Sequence, residues 1–173
     1  MRSVLYFLII IGLQNNVVAQ DSLPVQKNYR ILFFLLEDCK ITQAYIPTIN
    51  ELYSSYANDS IHFHGYFPSP SSNNESVNIF CKKYKLSFDT EMDPNQIKAQ
   101  KYEIDVLPQV VVINPLNQVI YQGRIDNLFE RIGKRRPRAS SHELQDCLEK
   151  IKNAQPVIPQ KTKAVGCALT RFD

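Results

Sequence analysis

Hydrophobic positions change their period several times along the chain, and each change marks an element. Ile31 to Leu36 is a run of six apolar residues, the length of a strand buried on both faces. Glu37-Asp38 breaks it and Cys39 follows at once. From Thr42 the period is helical, with Ile46, Ile49, Leu52 and Tyr53 on one face, which predicts a helix to about Ala57 with Pro47 in its second turn. Ile61 to Phe67 alternates as a strand, and the polar stretch from Pro68 to Glu75 is a loop. Val77, Phe80, Cys81 and Tyr84 predict a short amphipathic helix over Ser76 to Tyr84. Phe88 to Pro94 is an irregular link with room for a short strand, and Gln96 to Tyr102 is another short helix.

Val110 to Ile113 and Val119 to Tyr121, joined by Pro115-Leu116-Asn117, read as a hairpin, and Gly123-Arg124-Ile125-Asp126 leaves the sheet. Asn127 to Ser140 is a surface excursion. Ser141-His142-Glu143 caps a final helix to about Asn153, with Leu144, Cys147, Leu148 and Ile151 as its core stripe. Pro156 to Asp173 has no periodicity and reads as a tail without a core of its own.

The opening residues change the compartment. Arg2, an apolar core from Val4 to Leu13 and the small residues around Val17-Val18-Ala19 predict a signal peptide over residues 1–19, cleaved before Gln20. The core is shorter than the ~20 residues a bilayer span needs. The expected product is exported, periplasmic or extracellular, and free of the membrane after cleavage. It has a mobile lead-in (20–28), one domain (29–153) and a tail (154–173). The chain holds 20 basic and 17 acidic residues, and loses one cation with Arg2. That balance is too weak to imply nucleic acid.

Four cysteines remain, Cys39, Cys81, Cys147 and Cys167, with no CxxC pair and no zinc-type spacing. Cys39 is the sharpest chemical signal. A strand, a turn and then a helix place its thiol, exposed, at a helix N-terminus, where orphan N–H groups favour the thiolate. Cys81 and Cys147 lie in apolar helix stripes and read as inert core thiols. Cys167, beside Gly166 on the tail, either belongs to a disordered terminus or folds back onto Cys39 as a resolving thiol or structural partner. His62 and His64 share one strand face and, with the two sulfurs, are weak metal candidates suited to copper. No cofactor is called for. The basic run Lys134 to Arg138 is a solvated loop or a docking surface for an acidic partner.

The element order, Pro47 five residues beyond Thr42, Leu107-Pro108 before a hydrophobic strand, and the hairpin QVVVINPLNQVIYQGRID together resemble the thioredoxin-like superfamily. They are similar in particular to exported redoxin-domain (alkyl hydroperoxide reductase/thiol-specific antioxidant-like) proteins. The resemblance covers roughly Tyr29 to Lys152. It implies an α/β thioredoxin-like fold, a central mixed sheet flanked by helices, with an extended C-terminal tail. It also implies that Cys39 is the nucleophile, that Thr42 stands where a second active-site cysteine would be, and that Leu107 and a cis Pro108 line the site. Tails ending like Thr162-Lys163-Ala164-Val165-Gly166-Cys167 occur in similar proteins.

Two departures narrow the activity. Thr42 removes the usual dithiol, though its hydroxyl is placed to hydrogen-bond a Cys39 thiolate, and Phe33 stands where thioredoxins bury an acid. Leu32 and Leu36 fill the Pro and Thr/Ser positions of a peroxiredoxin motif, which leaves Arg124 as the only peroxidase feature. The expected activity is thiol-disulfide exchange at Cys39, with Cys167 or an external thiol as resolver and a protein or small-molecule thiol or disulfide as partner. The alternatives are a non-catalytic module for copper or partner binding, and a one-cysteine peroxidase.

Overall fold

The apolar run after Tyr29 forms the middle of a six-stranded mixed sheet. The structure is a computed structural model and describes residues 28–171. The expected signal peptide and all but the last residue of the lead-in lie outside the described residues. In chain order the elements are β1 (Tyr29–Phe34), α1 (Lys40–Tyr56), β2 (Ile61–Phe67), α2 (Asn74–Tyr84), β3 (Thr90–Met92), α3 (Ile97–Lys101) and β4 (Val106–Leu107). They continue with β5 (Gln109–Ile113), β6 (Val119–Gly123), β7 (Phe129–Arg131), β8 (Lys134–Arg135), α4 (Glu143–Lys152), β9 (Gln160–Lys161) and β10 (Cys167–Ala168). The sheet order is β3-β2-β1-β5-β6-β9, with β1, β2 and β3 parallel and β5 antiparallel to both its neighbours. Among the described residues no helix is long and apolar enough to cross a membrane.

Two cores explain why β1 has no polar alternation. Ile31, Phe33 and Leu35 face the larger core, shared with Ile46, Ile49 and Leu52 of α1, Phe80 of α2 and Leu144 and Leu148 of α4. Leu32 and Phe34 face a smaller core with Ala99, Ile104, Leu107, Val111 and Leu169. Residues one apart on a strand point to opposite faces, so a strand covered on both sides must be apolar throughout.

Several boundaries differ from the expected ones for local reasons. Helix α1 begins at Lys40, because the Gln43 amide already donates to Cys39 O at 2.9 Å. Helix α2 begins at Asn74 because Asn73 and Ser76 make a reciprocal capping box. The irregular link does hold the short strand it had room for, β3, hydrogen-bonded to β2. The cap of α4 is His142 without a side-chain bond, while Ser141 Oγ donates to Glu143 Oε1 instead. The surface excursion is anchored: Leu128 and Phe129 are buried and β7 pairs with β8.

The tail takes the second of the two courses expected for it: it folds back and is laid onto the sheet. Strand β9 pairs with β6, and Thr162 Oγ1 accepts from Arg124 N at 3.0 Å. Leu169, 6% exposed, enters the smaller core, and Arg171 Nη2 donates to Ile104 O at 2.7 Å.

Arg124 reaches from the end of β6 to Glu143 at the start of α4. Burial works to raise the Glu143 carboxyl, but the Arg124 guanidinium and Ser141 hydroxyl outweigh it, and its pKa lies below the usual value of 4.5. A lowered carboxyl contributes stability above the unfolded pKa, and that contribution is lost as pH falls through the folded value. Glu143→Gln should cost about 1–3 kcal/mol at pH 7, as for hydrogen bonds to charged groups. Denaturant titrations at pH 7 and pH 3 check this: the gap between variant and wild type should narrow as pH falls.

Candidate active site

The site is built where β1 hands over to α1. The turn between them is braced at four points. Cys39 N donates to Leu36 O at 3.1 Å, and Gln43 Nε2 donates to Glu37 O at 2.8 Å. Leu36 N points to Thr42 Oγ1 at 3.4 Å. The Glu37 carboxylate accepts from Ser72 and Ser76, both at 2.6 Å, and so sits at the N-terminus of α2, where the helix dipole favours an anion. Cys39 is left as the N-cap of α1, in extended conformation and with no side-chain capping bond.

Opposite it lies β4. The Leu107–Pro108 peptide bond is cis, as the resemblance implies. Cys39 Sγ is 3.6 Å from Leu107 O.

Cys167 completes the site. It forms a disulfide with Cys39, with Cα atoms 6.3 Å apart at a sequence separation of 128. Its strand, β10, pairs antiparallel with β4, Cys167 opposite Leu107 and Ala168 opposite Val106. Gly166 is required for this approach: a Cβ there would stand 2.0 Å from Leu107 O and 2.5 Å from Leu107 C. The tail is held beyond the cysteine as well. Leu169 N donates to Asp105 O at 2.8 Å and Gln96 Nε2 to Thr170 O at 2.6 Å. Ala99 N and Lys98 N in turn donate to Asp93, which fixes α3 beneath this segment.

One expectation is overturned. Cys39 faces the Leu107-Pro108 bend, but it is 2% exposed rather than open to solvent. Val165 and Cys167 of the tail pack against the same cluster and cover it. Cys167 is half-buried and is the more accessible sulfur-bearing residue of the pair.

The other candidates fall elsewhere. Thr42 is fully buried, one turn into α1, with its hydroxyl turned to the Leu36 amide. His62 is exposed and bonded to Asn28 and Asp59 O, and His64 lies 3.6 Å from Glu91. With the two sulfurs bonded to each other, neither is a thiolate ligand for a metal in this state. Arg124 is engaged by Glu143 and Ser141. Within the basic run, Lys134 and Arg136 pair with Glu130 at 2.5 Å each. Cys81 and Cys147 are free thiols. Burial pushes Cys147 up to about 11 and raises Cys81 above its ordinary value, which makes both poor nucleophiles at neutral pH.

Sequence reasoning missed Leu169, Gln96 and Thr162, the residues that hold the tail. The one signal was the lone apolar Leu169 following Cys167-Ala168.

No family model matches the sequence, and no curated protein does. Solved structures do. The fold is similar to a hypothetical protein of Sinorhizobium meliloti 1021, at 16% identity and TM-score 0.72, covering 83% of this chain and 80% of that one. It is also similar to an uncharacterized conserved protein of Geobacillus kaustophilus, at 14% identity and TM-score 0.67, covering 86% and 80%. The thioredoxin domain of a thiol-disulfide oxidoreductase of Bacteroides vulgatus matches at 13% identity and TM-score 0.55, covering 73% and 81%. At these identities the likeness establishes the architecture: the chain has the thioredoxin-like fold.

Proposed function

We propose that the protein is an exported thiol-disulfide oxidoreductase whose redox couple is Cys39–Cys167. The disulfide between the N-cap of α1 and a strand laid against Leu107 carries this reading. Residues 29–153 serve as the scaffold, and residues 154–173 supply the second sulfur that Thr42 denies to the helix.

The greater exposure of Cys167 supports different tasks for the two sulfurs, in an order of attack opposite to the expected one. In the reduced protein the Cys167 thiolate attacks a partner disulfide, one partner sulfur leaves as thiolate, and a mixed disulfide forms on Cys167. Cys39, at the helix N-terminus, then attacks Cys167 Sγ, and the second partner sulfur leaves. Two electrons pass to the partner, whose two thiolates take up the protons lost by the two cysteines. The bonds that keep the tail docked hold both sulfurs together at high effective concentration. That favours the closed disulfide and so favours this direction, with the dithiol form as reductant.

Mixing the reduced protein with a disulfide-bonded peptide tests the assignment. Cys39→Ala should accumulate the mixed disulfide on Cys167, seen by mass. Cys167→Ala should lower the rate of peptide reduction at least about 100-fold, the scale of a lost nucleophile. An adduct on Cys39, or a wild-type rate in Cys167→Ala, would contradict it.

A further inference from the structure

The surface beside Cys167 carries a second feature. A cleft of about 400 Å³ lies between the tail (Lys163, Ala164, Val165, Gly166), Val106 of β4, and the β7–β8 hairpin (Glu130, Arg131, Ile132). It ends at the residue preceding Cys167. Its walls are mostly apolar, and Ile132, at 67% exposure, is among the most exposed large apolar side chains of the described residues. Ile132 is continuous with Val106, Ala164 and Val165 in this lining, and a contiguous apolar surface rather than a lone exposed side chain is what marks a contact site.

The acidic groups around the cleft are all paired with cations. Glu130 is the only acidic lining residue, and Lys134 and Arg136 both bind that carboxylate. Beyond Val106, Glu103 pairs with Lys161 at 3.7 Å and Asp105 with Arg171 at 4.0 Å. Arg131 and Lys163, on opposite walls, have no salt-bridge partner among the described residues, nor has Arg135 on β8. Within the expected basic docking surface Lys134 and Arg136 are engaged, and the cations that line the cleft without a salt bridge among the described residues are Arg131 and Lys163.

We infer that this cleft is the docking surface for the redox partner, a protein segment that places an apolar side chain against Ile132 and Val165 and acidic residues against Arg131 and Lys163. Its cystine then meets Cys167 beyond Gly166. The inference rests on the exchange reading and names the partner's chemistry. Charge complementarity of this kind acts mainly on association rate and is screened by salt.

The test uses the full-length reduced protein and three peptides with the same two-cysteine disulfide loop, flanked by Leu-Glu-Glu, Leu-Lys-Lys or Ser-Ser-Ser, with a small aromatic disulfide as reference. The Leu-Glu-Glu peptide should be reduced at least about tenfold faster than the Leu-Lys-Lys peptide at low salt, and the ratio should shrink towards about twofold at 0.5 M salt. Lys163→Glu with Arg131→Glu should invert the order. Ile132→Ser should bring the Leu-Glu-Glu rate down towards that of a leucine-free acidic peptide. Equal rates for all three peptides would overturn the docking surface and leave exchange standing. Failure of every disulfide, the small reference included, would overturn both. A homodimer that Ile132→Ser dissociates would assign the cleft to a second copy of the chain and overturn the partner.

Discussion

Cys167→Ala should lower the stability of the oxidised protein by about 2–5 kcal/mol, the range for loss of a native disulfide. The bond closes a loop of 128 residues. The chain-entropy relation gives about 5 kcal/mol for that length, an upper value because the unfolded chain retains some structure. The residue itself is half-buried and its truncation removes little packing. Chemical denaturation with and without a phosphine reductant checks the origin of the loss. Reduction should bring wild type close to the variant and leave the variant unchanged. A variant within about 0.5 kcal/mol of oxidised wild type, the scale of a neutral surface change, would show that the bond does not staple the fold.

Gly166→Ala should have an effect of similar size through a different cause. The added Cβ would meet Leu107 O and C at 2.0 and 2.5 Å, and these are backbone atoms of a strand whose side chain is fully buried in the smaller core. They cannot turn aside as a flexible side chain does. Either β10 lifts from β4 and the sulfurs separate, or the strand shifts at an overpacking cost of about 1–3 kcal/mol or more. Alkylation and mass measurement of the variant should find four reactive cysteines in a large fraction of molecules after denaturation. A variant that keeps its disulfide and its wild-type melting temperature would contradict the docked geometry of the tail.

The residues that make the scaffold were the legible ones. Apolar runs and helical stripes placed β1, α1, β2 and α4, because burial on one or both faces leaves a periodic mark. Cys39 stood out between an apolar run and a helical stripe, and Leu107-Pro108 by the resemblance; the sulfur was expected to face that bend, and it lies 3.6 Å from Leu107 O. Its burial was not legible, since the residues that cover it arrive from 128 positions away. The tail illustrates the same limit. Strands β9 and β10 are two residues each, too short to carry a period, and their hold depends on single contacts such as Thr162 Oγ1 and Gln96 Nε2. Gly166 was the exception, because it stands beside Cys167 on the tail and a glycine permits a close backbone approach.

The central claim is that the sulfur at the start of α1 is bonded to the sulfur near the C-terminus. Proteolysis of the native, alkylated protein without reduction, followed by mass mapping, tests it most directly. The account predicts one linked peptide pair containing Cys39 and Cys167, with Cys81 and Cys147 recovered as thiols. Cys39 and Cys167 recovered on separate peptides, or either one linked to Cys81 or Cys147, would contradict it.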